Sequence, residues 1–238
     1  MSSLSRNHTA TARKNRRRKV LAIASGGSVL GIGLSFTLAA WTDTEWVFGA
    51  NSAGDGPGIG TSTFEVQQST ESPFDTFVDA ETAPGGAVSF SPNALALSPG
   101  VSTFAQVALR TTSDSAAGTL ELQTALAATA AQVPGVDDTA DALFNVLDVR
   151  VATSTDTQIT CDATAFNASQ PGVTTIADGS LSGAAATATQ SLAAASGSVQ
   201  FYCFEIRLAD PFTPGAGLEV DDYMGRAVAP MWQFEATS

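Results

Sequence analysis

The chain has 238 residues, with 11 Lys and Arg residues, 23 Asp and Glu residues, one His and a formal net charge of −12. Seven of the cations lie at or before Lys19, so the residues after Ala40 hold four arginines against all 23 acids, a net charge of −19. A surface this negative repels nucleic acid and anionic lipid, which excludes both as partners of residues 41–238.

The first 40 residues have the layout of an export signal. A basic cluster that ends at Lys19 precedes an apolar run, which closes with Ala39 and Ala40. This order is typical of a cleaved, helical signal peptide, and the Gly and Ser residues of the run make a poor permanent anchor. We predict that residues 1–40 are a signal peptide and the only membrane-contacting segment. The secretory and twin-arginine export routes both stay open.

Residues 41–60 form an apolar arm followed by a glycine-rich linker. The arm contains Trp41, Trp46, Val47 and Phe48, and the linker reads NSAGDGPGIG over residues 51–60. Such a linker is predicted to be flexible. An apolar arm on a hinge suggests a segment that docks onto another surface. The alternative is a first strand of the domain itself.

Short strands separated by Gly- and Pro-rich turns are predicted over residues 61–238. The predicted strands lie at 63–67, 87–90, 95–101, 101–110, 119–126, 146–153, 159–163, 199–208 and 225–237. A short helix is predicted around 138–144, and the Ala- and Ser-rich stretch 177–197 is predicted as a surface excursion or a weak helix. This pattern favours an all-β domain, an antiparallel β-sandwich with short helical insertions.

The strongest predicted strand, residues 199–208, has two different faces. Tyr202, Phe204 and Ile206 share one face, and Phe201 and Cys203 lie on the other. Cys203 and Cys161 are the two cysteines of the chain. Outside the cytoplasm a pair is more often a disulfide than two thiols, so we predict a bridge between them. The alternative is two buried thiols that pack as small apolar side chains.

The exported part lacks the residues most used in acid–base and nucleophilic catalysis. Its sequence has no Lys, and the one His of the chain, His8, lies in the signal peptide. A Ser-His-Asp triad, a Cys-His pair and a Ser-Lys dyad are thereby excluded, and we predict no catalytic residues.

Acidic pairs leave two other activities open. Asp137 and Asp138, with Asp141 nearby, and the pair Asp221 and Asp222 could serve a carboxylate-dependent hydrolase or bind Ca²⁺. In an acidic protein, such pairs most often form a solvated surface. We therefore expect neither a metal site nor another cofactor.

Three segments of the chain, in order, resemble exported proteins of the TasA and camelysin type. The sequence LAAWTD at residues 38–43 is similar to signals cut by the SipW-type signal peptidase, which implies cleavage between Ala40 and Trp41. The sequence LALSPGVSTFAQVALRTTSDSAAGTLEL at residues 95–122 resembles a strand-turn-strand portion of that family. The sequence YMGRAVAPMWQFEATS at residues 223–238 resembles its closing strand.

The resemblance implies a jelly-roll β-sandwich that is secreted by a Gram-positive bacterium and forms extracellular fibres at the cell surface or in the biofilm matrix. It also implies self-association by donor strand, in which the N-terminal segment of one subunit completes the sheet of the next. Here the donor would be residues 41–48, which include Trp41, Trp46, Val47 and Phe48.

Other functions compatible with the resemblance also have to be weighed. Camelysin-type relatives imply a zinc peptidase, which the lack of a His in the exported part argues against. A monomeric surface-binding module or adhesin with the same fold is the main alternative to fibre formation. No wall-anchoring signal follows Phe234, so we expect no covalent attachment to the cell wall.

Overall fold

Short strands joined by turns and loops make up the described part of the chain. The computed structural model describes residues 44–167 and 170–238, so the predicted signal helix and the Ala40–Trp41 cleavage site lie outside the described residues. The strands are β1 (Val66–Ser69), β2 (Ser102–Thr111), β3 (Gly118–Leu122), β4 (Leu126–Ala127), β5 (Leu147–Thr155), β6 (Thr174–Ser180), β7 (Gln190–Leu192), β8 (Gln200–Leu208), β9 (Pro230–Met231) and β10 (Phe234–Thr237).

The helical content of the described ranges is confined to single turns. These 3-10 helices span Ala94–Ala96, Thr139–Asp141, Phe144–Val146, Ala163–Phe166 and Val220–Tyr223. Among the residues that the structure describes, no helix combines the length and the apolar character needed to cross a membrane. The predicted all-β class with short helical insertions is confirmed.

The strands pair into antiparallel sheets. A five-stranded sheet has the order β1-β2-β8-β5-β6, a three-stranded sheet has the order β10-β3-β7, and β4 pairs with β9. Side chains of the two larger sheets meet in one apolar core. The predicted antiparallel sandwich is confirmed, and its finer jelly-roll connectivity stays a prediction.

Strand β8 lies at the centre of the five-stranded sheet, between β2 and β5. Its side chains alternate as predicted, because successive residues of a strand point to opposite faces. Tyr202, Phe204 and Ile206 are at most 4% exposed and face the core. Phe201 and Cys203 belong to a second apolar cluster on the outer face. Both faces of β8 are therefore covered.

The opposite wall of the core comes from the three-stranded sheet. Leu120 and Leu122 of β3 and Leu192 of β7 are at most 2% exposed. Full burial of such a side chain stabilises the fold by about 1.5–3 kcal/mol. The contact between the two larger sheets is therefore the main apolar contribution to the domain.

The outer face of β8 is covered by two loops, one of which is held by a disulfide. Cys161, in the loop between β5 and β6, is bonded to Cys203 of β8, 42 positions along the chain. The same loop packs Ile159 and Ala165 into the outer cluster. Phe74, from the loop after β1, places its ring edge-on to Phe201 with centroids 5.8 Å apart. The predicted disulfide is confirmed.

A buried ion pair lies beside the disulfide on this outer face. Glu205 of β8 is 3% exposed, pairs with Arg150 of β5, and accepts a 2.6 Å hydrogen bond from the Ser102 hydroxyl. Burial alone would raise the pKa of the Glu205 carboxyl. The hydrogen bonds from Arg150 and Ser102, and the charges of Arg150 and Arg207, reverse this effect and hold that pKa below its usual value.

Two strand predictions are wrong because turns occupy those positions. At 95–101 the chain forms the helix Ala94–Ala96, after Asn93 enters the left-handed region with φ of 77° and before Gly100 does the same. At 159–163 the chain runs without a strand into the helix Ala163–Phe166, held against β8 by Cys161.

The prediction for the stretch 177–197 is also wrong. It contains the end of β6 and all of β7, with Leu181 and Leu192 at most 2% exposed. Because the stretch is rich in Ala and Ser, its sequence shows little alternation, and the core-packing strand β7 was not predicted. Around 138–144 the predicted helix is replaced by the single turns Thr139–Asp141 and Phe144–Val146.

The chain divides into two units after Gly60. In the first unit, residues 44–50 form no strand or helix, and Trp46, Val47 and Phe48 are 87%, 96% and 75% exposed. The alternative of a first strand is therefore not observed among residues 44–60. Residues 49–58 close a turn, in which the Gly58 N–H donates to the Gly49 carbonyl at 2.9 Å. The flexibility of the linker stays a prediction.

Removal of the disulfide is expected to destabilise the second unit. The double variant Cys161→Ala with Cys203→Ala releases a loop closure of 42 residues, which should lower the free energy of unfolding by about 4 kcal/mol. Urea unfolding with and without a reductant measures the change. Reduced wild-type protein should approach the double variant, and an unchanged midpoint after reduction would contradict this role of the bridge.

Loss of Arg150 is expected to cost more than loss of Arg207. Arg150→Met leaves the buried Glu205 without its partner, which should cost about 3 kcal/mol. Arg207→Met is the matched control, because Arg207 is more exposed and its carboxylate contacts are 3.6 and 3.9 Å; such pairs contribute under about 1 kcal/mol. Urea unfolding of both variants measures the difference.

The effect of Arg150→Met should also depend on pH. Because the pKa of folded Glu205 is lowered, its stabilising contribution is present above the unfolded pKa and is lost as pH falls through the folded pKa. The gap between wild type and Arg150→Met should therefore narrow in acid. A gap that is constant through this range would contradict the role assigned to Glu205.

Candidate functional site

An open groove of about 850 Å³ lies within the second unit, between edge strands of the two larger sheets. β1 is the edge strand of the five-stranded sheet, and β10 is the edge strand of the three-stranded sheet. Residues 64–68, which include β1, form one side of the groove, and residues 228–234, with Ala236, form the other. The sandwich is thus incompletely closed along this side.

The floor of the groove is part of the apolar core. Val107, Leu109, Leu120 and Phe204 line it, although each is at most 5% exposed. The Trp232 ring lies on Phe204, with ring centroids 4.4 Å apart. A groove lined by apolar side chains offers an apolar occupant a favourable site, because burying apolar surface releases the water around it to the bulk.

Residues 80–90, which we name the strap, form a further wall of the groove. Val88 and Phe90 pack against the core, whereas the intervening Ser89 is exposed. The strap therefore alternates as a strand does, but it belongs to no sheet among the described residues. The prediction of a strand at 87–90 is wrong, because these residues pair with no sheet of the described structure. Their alternation of apolar and polar residues was the one feature of the sequence that indicated this wall of the groove.

The strap lies against the side chains of β1 and the residues that follow it. A Cβ atom on Gly86 would lie 2.7 Å from Nε2 of Gln68 and 3.1 Å from Cγ2 of Thr70, so a side chain here would have to push the end of the Gln68 side chain aside. Nε2 of Gln68 is buried and has no hydrogen-bond partner in the described part of the chain. This unpartnered donor in the groove wall could bind an acceptor supplied by an incoming segment.

The mouth of the groove is acidic. Glu65 faces Asp79, and the negative charge of Asp79 is the main reason that the pKa of the Glu65 carboxyl is raised, with smaller contributions from burial, Glu81 and Asp114. Glu65 and Glu81 are the ionisable residues that line the groove itself. An uncharged or basic segment therefore fits this groove better than an acidic one.

Two residues of the acidic pairs that could have served a hydrolase or Ca²⁺, Asp138 and Asp222, have structural contacts. Asp138 is almost fully buried, accepts hydrogen bonds from the backbone N–H groups of Leu143 and Phe144, and pairs with Arg226 at 3.0 Å. Asp222 accepts a hydrogen bond from the Glu219 N–H at 2.8 Å, which caps a helix. Within residues 44–167 and 170–238, no group of three or more His, Cys, Asp or Glu residues is arranged to hold a metal ion.

The predicted site residues do not come together in one place. The disulfide between Cys161 and Cys203 lies on the outer face of the five-stranded sheet, whereas the groove opens to the core side. Trp46, Val47 and Phe48 lie in the other unit, with their side chains exposed. Trp41 lies outside the described residues.

Comparison of the chain with protein-family models and with curated proteins finds no match.

Neutralising Asp79 is expected to lower the pKa of Glu65 toward its ordinary value. Asp79→Asn removes the largest electrostatic cause of the raised pKa, whereas Asp114→Asn, the matched control, removes the smallest. An NMR titration of the Glu65 side chain measures both. A larger change in the control than in Asp79→Asn would contradict this description of the groove mouth.

Proposed function

We propose that this protein is an exported structural subunit of a Gram-positive cell envelope or biofilm matrix, and that it self-associates through its N-terminal arm. The arm of one copy, residues 41–48, occupies the groove of another copy. The observation that carries this proposal is that one chain has both an apolar-lined groove between two sheet edges and an exposed aromatic segment.

The aromatic end of the arm suits the apolar lining of the groove. Trp46, Val47 and Phe48 carry no charge and approach the groove mouth without repulsion. Asp43 and Glu45, nearer the start of the arm, are repelled by Glu65 and Glu81 and have to lie away from the mouth. Aromatic and β-branched residues favour an extended strand, which is the conformation that adds to a sheet edge. A large exposed apolar segment marks an interaction site in a soluble protein.

Removal of the signal peptide is the step that frees the arm. The resemblance of residues 38–43 to SipW-type signals supports cleavage between Ala40 and Trp41. An uncut chain keeps the arm next to the apolar run of the signal peptide, and hence at the membrane. In this proposal, export and processing by the signal peptidase therefore precede assembly.

A structural role fits the remaining chemistry of the chain better than an enzymatic one. The exported part has no His and no Lys, and Asp138, the buried member of the acidic cluster, is held by backbone donors and Arg226. The proposal includes no metal, cofactor or catalytic residue. It is supported by the TasA and camelysin resemblance, which links the same order of segments to fibre-forming proteins.

Substitution of the arm tests the proposal. In the chain that begins at Trp41, the double variant Trp46→Ser with Phe48→Ser removes two aromatic side chains from one face of the arm. Their burial is worth about 4 kcal/mol, so association should weaken about 10³-fold. The matched control is Val47→Ser on the opposite face, which should weaken association less than about tenfold. Light scattering and electron microscopy measure assembly.

Deletion of residues 41–48 should abolish assembly altogether. Unchanged assembly of that deletion would refute the donor-strand mechanism. A protein that stays monomeric at all concentrations, with the arm intact, would favour a surface-binding module whose groove takes a segment of another protein.

A further inference from the structure

We propose that the arm of the second copy adds as a strand to the open edge of β10, so that the three-stranded sheet becomes arm-β10-β3-β7. This inference rests on the proposed function and specifies which wall of the groove supplies the backbone partners. Two edges border the groove, and their hydrogen bonding distinguishes them.

The first observation is the direction of the backbone groups of β10. The Gln123 N–H donates to the Gln233 carbonyl at 2.9 Å, and the register continues with Phe234 opposite Leu122 and Ala236 opposite Leu120. In an antiparallel ladder, the backbone groups of successive residues point to opposite edges. The N–H and C=O groups of Phe234 and Ala236 therefore point away from β3, to the open edge.

The second observation is the length of this open edge. β9 pairs with β4 on the same side on which β10 pairs with β3, so residues 230–237 have one partnered edge and one open edge among the described strands. Eight residues of strand span about 26 Å. The arm, residues 41–48, also has eight residues and spans about 26 Å when extended. The lengths of the two segments therefore match.

The competing edge, on β1, is already partly used. β1 has four residues, and Gln68 exchanges two 2.9 Å backbone hydrogen bonds with Val78 on its outer side. Val66 is left as the one residue of β1 whose backbone groups point to this edge without such a bridge, because Glu65 accepts from Thr112 of the neighbouring chain segment. The β1 edge thus offers an incoming strand one free residue, Val66, whereas β10 offers two, Phe234 and Ala236.

The side chains of β10 also suit an added strand. Phe234 and Ala236 line the groove, and the Phe234 ring packs 4.7 Å from the ring of Tyr202, measured between centroids. Neighbouring residues on adjacent strands share a face. Trp46 and Phe48 would then lie beside Phe234 and Ala236 over the apolar floor, and Val47 would face solvent.

A proline at the open edge tests the choice of edge. Ala236→Pro removes an N–H that points to the open edge and leaves the β3 ladder intact, which an edge strand tolerates. The matched control is Val66→Pro, which removes the corresponding N–H from the β1 edge. The full chain is titrated into a fluorescein-labelled synthetic peptide with the sequence of residues 41–50, and binding is followed by anisotropy. Ala236→Pro should weaken binding more than about tenfold, and Val66→Pro less than about twofold.

Hydrogen exchange of the unaltered full chain gives a second measurement that does not depend on the folding of a proline variant. The peptide should slow amide exchange at Phe234 and Ala236 and leave Val66 unchanged. Protection at Val66 alone, or weakening by Val66→Pro alone, would overturn the assignment to β10 while leaving the proposed function intact. A peptide that does not bind the unaltered chain would refute both.

Discussion

Strand β8 has to be covered on both faces, because it places large apolar side chains on each of them. Its inner face carries Tyr202, Phe204 and Ile206 into the space between the two larger sheets, and its outer face carries Phe201 and Cys203. The sheet opposite covers the first face. Two loops cover the second face, and the disulfide holds one of them against β8, while the buried ion pair joins β8 to its neighbour β5. The domain therefore has a covering layer on each face of this one strand.

The three-stranded sheet covers the inner face of the five-stranded sheet incompletely, because it has fewer strands. Five strands face three, and an open groove runs along one side, beside Phe204 and Leu120, which are themselves at most 1% exposed. The strap narrows that opening without closing it, since it packs Val88 and Phe90 inward but lacks strand partners. An incoming strand would supply both the missing apolar contacts and the missing backbone partners. This geometry supports the proposed assembly, and the acidic mouth favours the uncharged residues 46–48 of the arm as the part that lies beside it.

Much of the fold could be predicted from the sequence, because burial leaves a period-two pattern wherever a strand has one or two apolar faces. β2, β5 and β8 were predicted within two residues of their observed bounds, as was the disulfide that joins β8 to its covering loop. The pattern failed where local backbone geometry overrode it, as at Asn93 with its left-handed φ of 77°. It also failed at β7, where Gln190 and Leu192 are buried within a stretch of small residues that carries little periodic signal. The arm could be recognised in the sequence as an apolar segment, but the groove could not, since two of its walls come from residues at least 160 positions apart.

The four arginines of residues 41–238 have a consequence for encounters between molecules. Arg150, Arg207 and Arg226 pair with carboxylates of their own domain, and Arg110 lies 3.9 Å from the centre of the Phe77 ring. The arginines therefore contact groups of their own domain, and the surface that one copy turns to another is mainly acidic. Two such copies approach against a Coulomb barrier that dissolved salt lowers, since at 0.1 M ionic strength exposed charges more than about 10 Å apart are largely screened. In the proposed assembly, the uncharged residues 46–48 of the arm are the part of one molecule that meets this barrier least, so salt should speed the encounter of two copies.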